Sequence, residues 1–302
     1  MVKLPIYKAQ NQDKLYNWHR AKDAVYQKSE LFWKFSFYSF MILGVLGVAF
    51  NLIEHYLMDS ARNWVELLSF FIPLIIGLLL KNKSSNLKRI GAILQEGIDV
   101  ELYAISWKDS DMKNKFNGSQ MQNTIIEYEK KSKKPKEHFK NWYSESTGNF
   151  TTREEQVFAC QRENLWFDIN LRIKYISRLI TYLFIIILVS MIIGLIVNMS
   201  FLLSILKIFL PIAPFVWLLI SALKENLKLI ERQKLLEKEI KNKLKKFELN
   251  KTAIQEKDLR EVQNAIFEKR INTSANIPNL FYSKHRDELD DFTIETTKNL
   301  KT

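Results

Sequence analysis

Four stretches of this chain are almost free of charge and strongly apolar: 35–53 (FSFYSFMILGVLGVAFNLI), 64–80 (WVELLSFFIPLIIGLLL), 179–197 (LITYLFIIILVSMIIGLIV) and 201–223 (FLLSILKIFLPIAPFVWLLISAL). Each is close to the roughly 17–25 residues that cross a bilayer as a helix. A soluble core would spread its apolar residues at helix or strand periods; here charge is withdrawn from whole segments and concentrated in the rest. The expected fold class is an all-α integral membrane protein whose four transmembrane helices form two hairpins. A helical cytosolic domain is built from the N-terminal arm, the middle segment and the C-terminal arm. The expected divisions are 1–34 (arm), 35–80 (first hairpin), 81–178 (middle segment), 179–223 (second hairpin) and 224–302 (arm and tail).

Charge sets the orientation. The first hairpin turns through NLIEHYLMDSARNW, whose one basic residue is Arg62, and the second through NMS, which has none. All but Arg62 and Lys207 of the 45 lysines and arginines lie in the two arms and the middle segment, in a chain of net charge +12. The positive-inside rule puts those parts, with both termini, in the cytoplasm. The 34 residues before the first span are polar and charged, which fits no secretory signal. Two echoing stretches, FFIPLIIGLLLKN (70–82) and IFLPIAPFVWLLISALKEN (208–226), each carry proline inside the second span of a hairpin. They suggest a 2+2 duplication of parallel topology.

The cytosolic parts read as helices. Leu15, Trp18, Val25 and Phe32 fall near one face of 12–33, and Leu87, Ile90, Leu94, Ile98 and Leu102 form a clean amphipathic stripe. Residues 153–178 and 224–249 run into and out of the second hairpin as helices. Residues 108–140 read as a polar loop, Thr252 to Gln255 as a capping box opening a helix to about 271, and the tail after 283 as a mobile end.

Cys160 is the lone cysteine, so no internal disulfide forms, and His19, His55, His138 and His285 lack metal-ligand spacing. No P-loop, HExxH or GxSxG occurs. No enzyme activity, catalytic residue, metal or bound cofactor is expected.

The chemistry lies in CQRENLWFDINLR (160–172), just before the third span. Gln161, Asn164, Asp168 and Arg172 share a narrow helical arc, beside an apolar stripe of Phe158, Leu165, Ile169 and Ile176, and Arg162 and Trp166 flank it. Amides, a guanidinium fork and a stacking ring suit a phosphate-and-base ligand. They equally suit a buried network that locks two helices. Two further stretches have the same character: ILQEGIDVELYAISW (93–107), with Gln95, Asp99 and Trp107, and HFKNWYS (138–144), with Trp142 and Tyr143. Within the spans, Ser190, Gly194 and Asn198 form a small-residue face that permits close packing. Pro73, Pro211 and Pro214 are candidate hinges. Lys207 is a candidate pore-lining residue, or one that snorkels to the interface.

The order of these blocks, LQEGIDVELYAISW, NWYS, CQRENLWFDINLRIKY and then a proline-containing fourth span, resembles the SMODS-associating four-transmembrane effector family of bacterial antiphage immunity. The resemblance runs over most of residues 10–250. It implies an inner-membrane effector encoded beside a cyclic oligonucleotide synthase. A cyclic di- or trinucleotide activates such an effector, which compromises the bilayer; apart from the resemblance, four helices per chain cannot enclose a wide pore, so a homo-oligomer is expected. No DNA or RNA polymer is expected as a partner. The matching positions are Gln95, Glu96, Asp99, Trp107, Trp142, Tyr143, Gln161, Arg162, Asn164, Asp168 and Arg172. A constitutive channel or transporter, and a membrane scaffold recruiting a protein partner, are the alternative functions.

Overall fold

The computed structural model describes residues 4–53, 59–132, 134–250, 253–273 and 277–298, leaving undescribed the side chains of 59–70, 72–74, 76, 78, 136 and 250. Among the described residues it is all helix, without strands. The helices are α1 (Ile6–Ala9), α2 (Asp13–Ile53), α3 (Asp59–Tyr103), α4 (Ser110–Asn117), α5 (Ser119–Glu129), α6 (Arg153–Ile196), α7 (Phe201–Ser204), α8 (Leu210–Asn250), α9 (Glu256–Asn272) and α10 (Asn279–Lys298). A π-helical turn, Ile205–Phe209, follows α7. Short 3₁₀ turns occupy Lys136–Phe139 and Glu145–Asn149.

Among the described residues, three helical stretches are long and apolar enough to cross a membrane: Asp13–Ile53, Arg153–Ile196 and Phe201–Leu249. At 1.5 Å per residue a 41-residue helix such as α2 is about 60 Å long, roughly twice a hydrocarbon core. Half of such a helix therefore has to stand outside the lipid. Residues 64–80 are helical, as part of α3. Most side chains of that expected span, with Pro73, lie outside the described residues.

The chain forms two compact units, to both of which α2, α3, α6 and α8 contribute segments. The first unit takes residues up to Lys28, Leu87–Ile173 and Lys228 onward. Its core gathers Ile98, Tyr103, Phe158, Leu165, Ile240 and Val262, with a second cluster around Val25, Leu94, Phe116 and Phe267. The stripe expected on 87–102 is buried at Leu94, Ile98 and Leu102. The opposite face is buried as well: every residue from Gly91 to Val100 is covered. This segment of α3 is a central helix, so its polar residues need protein partners.

Three local expectations change. Residues 108–140 hold α4 and α5, because Asp109 caps α4 by accepting from the Met112 N–H at 2.7 Å and Phe116, Met121 and Ile125 are buried. The capping box at the start of α9 is built by Gln255 and Asp258, and the expected Thr252 lies outside the described residues. The tail is an ordered helix, α10, whose Leu289, Thr293 and Thr297 are buried.

The second unit holds Ser29–Asn86 and Lys174–Leu227. Many of its exposed side chains are large and apolar, among them Phe184, Leu195, Phe201 and Trp217. Small residues allow close approach inside it. A Cβ on Gly194 would lie 2.9 Å from Ser204 Oγ, and one on Gly44 would lie 3.4 Å from the Pro211 carbonyl. Val48, Ile208 and Ile212 form the packed centre beside these contacts. Ser29 and Ser84 tie α2 to α3, each hydroxyl donating to the other's carbonyl at 2.8 and 2.9 Å. Lys207 sits in the π turn, Pro211 in the first turn of α8 and Pro214 inside it.

Candidate functional site

The covered polar residues of α3 meet α9 in the first unit. Gln95 donates to Asp99 Oδ1 at 2.7 Å. Asp99 Oδ2 accepts from Arg270 at 2.6 Å and from Gln263 at 2.9 Å. Gln263 also donates to Glu96, at 2.9 Å, and Glu96 pairs with Arg260 at 2.6 Å. Burial pushes the Glu96 carboxyl up, against the pull of Arg260 beside it. Gln161 of α6 joins by donating to Gln263 Oε1 at 3.2 Å. Lys22 of α2 joins from the other side, donating to Gln95 Oε1 at 2.7 Å.

A second centre forms on Asp168. Its carboxylate accepts from Arg172 at 2.8 Å, from Lys269 at 2.7 Å and from Gln233. Burial opposes ionisation there, but Arg172 and Lys269 outweigh it and hold the carboxyl well below the usual range. Lys269 is itself pushed down to about 8 by burial, with Asp168 opposing the shift. Because Lys269 and Arg270 are adjacent on α9, the two centres share one wall.

The other positions expected from sequence go elsewhere. Asn164 donates to the Tyr143 hydroxyl at 3.1 Å, and the Tyr143 and Tyr103 hydroxyls lie 2.5 Å apart in the core. Arg162 lies against the Thr296 carbonyl and makes an ion pair with Glu237, both at 3.3 Å. Trp107 packs on Phe116, ring centroids 5.1 Å apart. Trp142 is half-buried, tilted against His19 and 4.5 Å below the Lys22 ammonium. Gln161, Asn164, Asp168 and Arg172 thus leave one helical arc for separate partners. Gln95, Asp99 and Gln161 share one network, and Asp168 and Arg172 sit in the next.

Sequence reading missed Lys22, Gln233, Arg260, Gln263, Lys269 and Arg270. A signal was present on α9. Arg260, Gln263, Phe267 and Arg270 are spaced three and four apart, so a polar set shares its face with an aromatic ring. Phe267 is buried, and that face turns inward with its charges.

Two buried carboxamide oxygens, Gln161 Oε1 and Gln233 Oε1, accept no hydrogen bond from the protein among the described residues. The assembly therefore combines cations held against few carboxylates, vacant acceptors and a half-buried indole. Such a set has the donors, acceptors and ring face that complement a polar anion with N–H edges.

The sequence pattern of the SMODS-associating 4TM effector domain matches residues 4–300. The chain belongs to that family. Membership carries an effector role in antiphage immunity. The chain is also similar to a probable CBASS effector molecule from Bacillus cereus (strain VD146), 25% identical over 281 residues and covering 91% of each chain. No solved structure matches it. The blocks Gln95–Trp107 and Gln161–Arg172 supply Gln95, Glu96, Asp99, Gln161, Asp168 and Arg172, half of the residues joined in the two centres.

Proposed function

We propose that the chain is a membrane effector switched by a cyclic di- or trinucleotide. It crosses the bacterial inner membrane four times as two hairpins, and residues 1–34, 81–178 and 224–302, with both termini, lie in the cytoplasm. Several copies associate, and the nucleotide-bound assembly permeabilises the bilayer and arrests the infected cell. One observation carries this reading. Asp99 and Asp168 meet Arg270 and Lys269 of α9, and the family-matching Gln95, Gln161 and Arg172 join them in one buried polar assembly, where vacant carboxamide acceptors and Trp142 also lie. Network polar groups that change partners when a ligand enters can bias a two-state helical assembly. Four helices per chain are too few to enclose a wide pore, which is why self-association belongs to the proposal.

The test is dye release from liposomes holding purified protein. Each of a panel of cyclic di- and trinucleotides is added to wild type, Arg172→Ala and Trp107→Ala, with radiolabelled nucleotide binding measured in parallel. One nucleotide should release dye from wild-type vesicles and enlarge the detergent-solubilised particle. Unchanged permeability with every nucleotide, or a ligand-bound protein that stays monomeric, defeats it.

A further inference from the structure

Lys22 is 7% exposed, yet among the described residues no carboxylate pairs directly with its ammonium. Its neighbours are Gln95 Oε1 at 2.7 Å, His19 Nδ1 at 3.2 Å and the Trp142 ring at 4.5 Å. All three are neutral. His19 is held neutral because burial, and then the Lys22 charge, lower its basicity well below the ordinary value. An ammonium can only donate, so His19 Nδ1 accepts and the ring proton sits on Nε2.

The acids nearby are already taken. Asp99 is held by Arg270, Gln263 and Gln95. Asp23 is bound by Lys134 at 2.7 Å and by Gln27 at 2.5 Å. Glu96 belongs to Arg260. Among the described residues, no carboxylate oxygen lies within 4.0 Å of Lys22 Nζ. Buried charges are paired as a rule, because a lone one forfeits its hydration without return. Arg270 and Lys134 add two cations whose fields reach Lys22.

We propose that Lys22 is the seat of a phosphoryl anion, which replaces the Trp142 face as the third partner of the ammonium. The fields of Arg270 and Lys134 favour an anion there, and the freed indole serves as a stacking face for a base. This rests on the reading above that the activating ligand is a cyclic oligonucleotide, and it names the group that holds that ligand's phosphodiester.

Burial pushes Lys22 down to about 8, with Asp23 and Asp99 opposing and Arg270 and Lys134 adding to the shift. An anion on the ammonium favours its charged form, so binding above pH 8 takes up a proton.

The experiment uses full-length protein in detergent and three probes: pyrophosphate, a 3′,3′-linked cyclic dinucleotide and a cyclic trinucleotide. Wild type, Lys22→Gln and Lys22→Arg are first matched for melting temperature without probe. Pyrophosphate should raise the melting temperature of wild type and Lys22→Arg but not of Lys22→Gln, and Lys22→Gln should bind the responsive nucleotide at least tenfold more weakly. Equal responses in wild type and Lys22→Gln overturn the seat. If neither variant folds, calorimetry of wild type at pH 8.5 in buffers of different ionisation heat, with sulfate as a non-titrating stand-in for the phosphoryl group, decides: proton uptake on sulfate binding supports the seat, and none overturns it. A pyrophosphate effect that needs Lys22, with no nucleotide bound, leaves the seat standing and defeats the nucleotide reading. A nucleotide bound equally by wild type and Lys22→Gln does the reverse.

Discussion

The side-chain amide of Asn51 donates to the backbone carbonyl of Lys207 at 3.1 Å. Pro211 stands four residues after Lys207 and has no N–H, so it cannot give that carbonyl its helical partner. The donor arrives from α2 instead, beside the π turn Ile205–Phe209 and next to the packed Val48, Ile208 and Ile212. In an apolar segment, where water cannot stand in for the missing N–H, a side-chain amide from a neighbouring helix supplies a donor.

Replacing Asn51 with Leu should therefore lower stability by roughly 0.6–2 kcal/mol, the span measured for polar contacts between helices in lipid. Asn51→Gln should recover part of the loss. Thermal unfolding of the detergent-solubilised protein measures both, and an unchanged midpoint in Asn51→Leu contradicts the assignment.

Asp168 collects three donors from α6, α8 and α9. Asp168→Asn leaves Arg172 and Lys269 facing each other without the carboxylate. Removing one member of a buried pair costs about 3–5 kcal/mol, and the partial exposure of this carboxyl reduces that to roughly 2–4. The Asp168 carboxyl is depressed in the folded state. Its contribution is fully present above the unfolded carboxylate value of about 4 and is lost as pH falls through the folded one. Melting curves between pH 6 and 3 should show a shallower acid loss in Asp168→Asn than in wild type.

Glu163 has the opposite sign. Its carboxyl accepts from the Ser144 N–H at 3.1 Å and from the Ser144 hydroxyl, yet burial pushes it up to about 7. Between the unfolded value of about 4.3 and 7, the folded protein holds a proton that the unfolded chain has lost. Stability from this group should fall as pH rises across that window and level off above it. Glu163→Gln keeps an acceptor for Ser144 and cannot ionise, so the difference between the two melting profiles should vanish near pH 4 and grow toward pH 7.

Gly97 lies mid-helix in α3, where alanine ordinarily gains about 1 kcal/mol. A Cβ there would stand 2.1 Å from Phe116 Cε2 and 2.4 Å from its Cζ. Phe116 is buried and held between Trp18 and Trp107. Overpacking of roughly 1–3 kcal/mol should exceed the helical gain. Gly97→Ala should lower the unfolding midpoint, and Gly97→Ala with Phe116→Leu should recover it.

Helical class, the apolar runs at 35–53, 179–197 and 201–223, and the stripe Leu94–Ile98–Leu102 could be read from the chain because each is a local pattern: composition over about twenty residues, or a repeat every three or four. The blocks holding Gln95, Asp99 and Gln161 were legible too, as polar residues in otherwise apolar surroundings. Their partners were not. Arg270 meets Asp99 across 171 positions and Gln263 meets Glu96 across 167, and no local pattern encodes a pairing at that separation. Nor did the sequence show that α3 would be covered on both faces from Gly91 to Val100. A stripe marks the side that must be buried; it does not forbid burying the other. Whether an amide on that second side faces water or an arginine depends on which helix folds over it, and only the packed chain makes that choice.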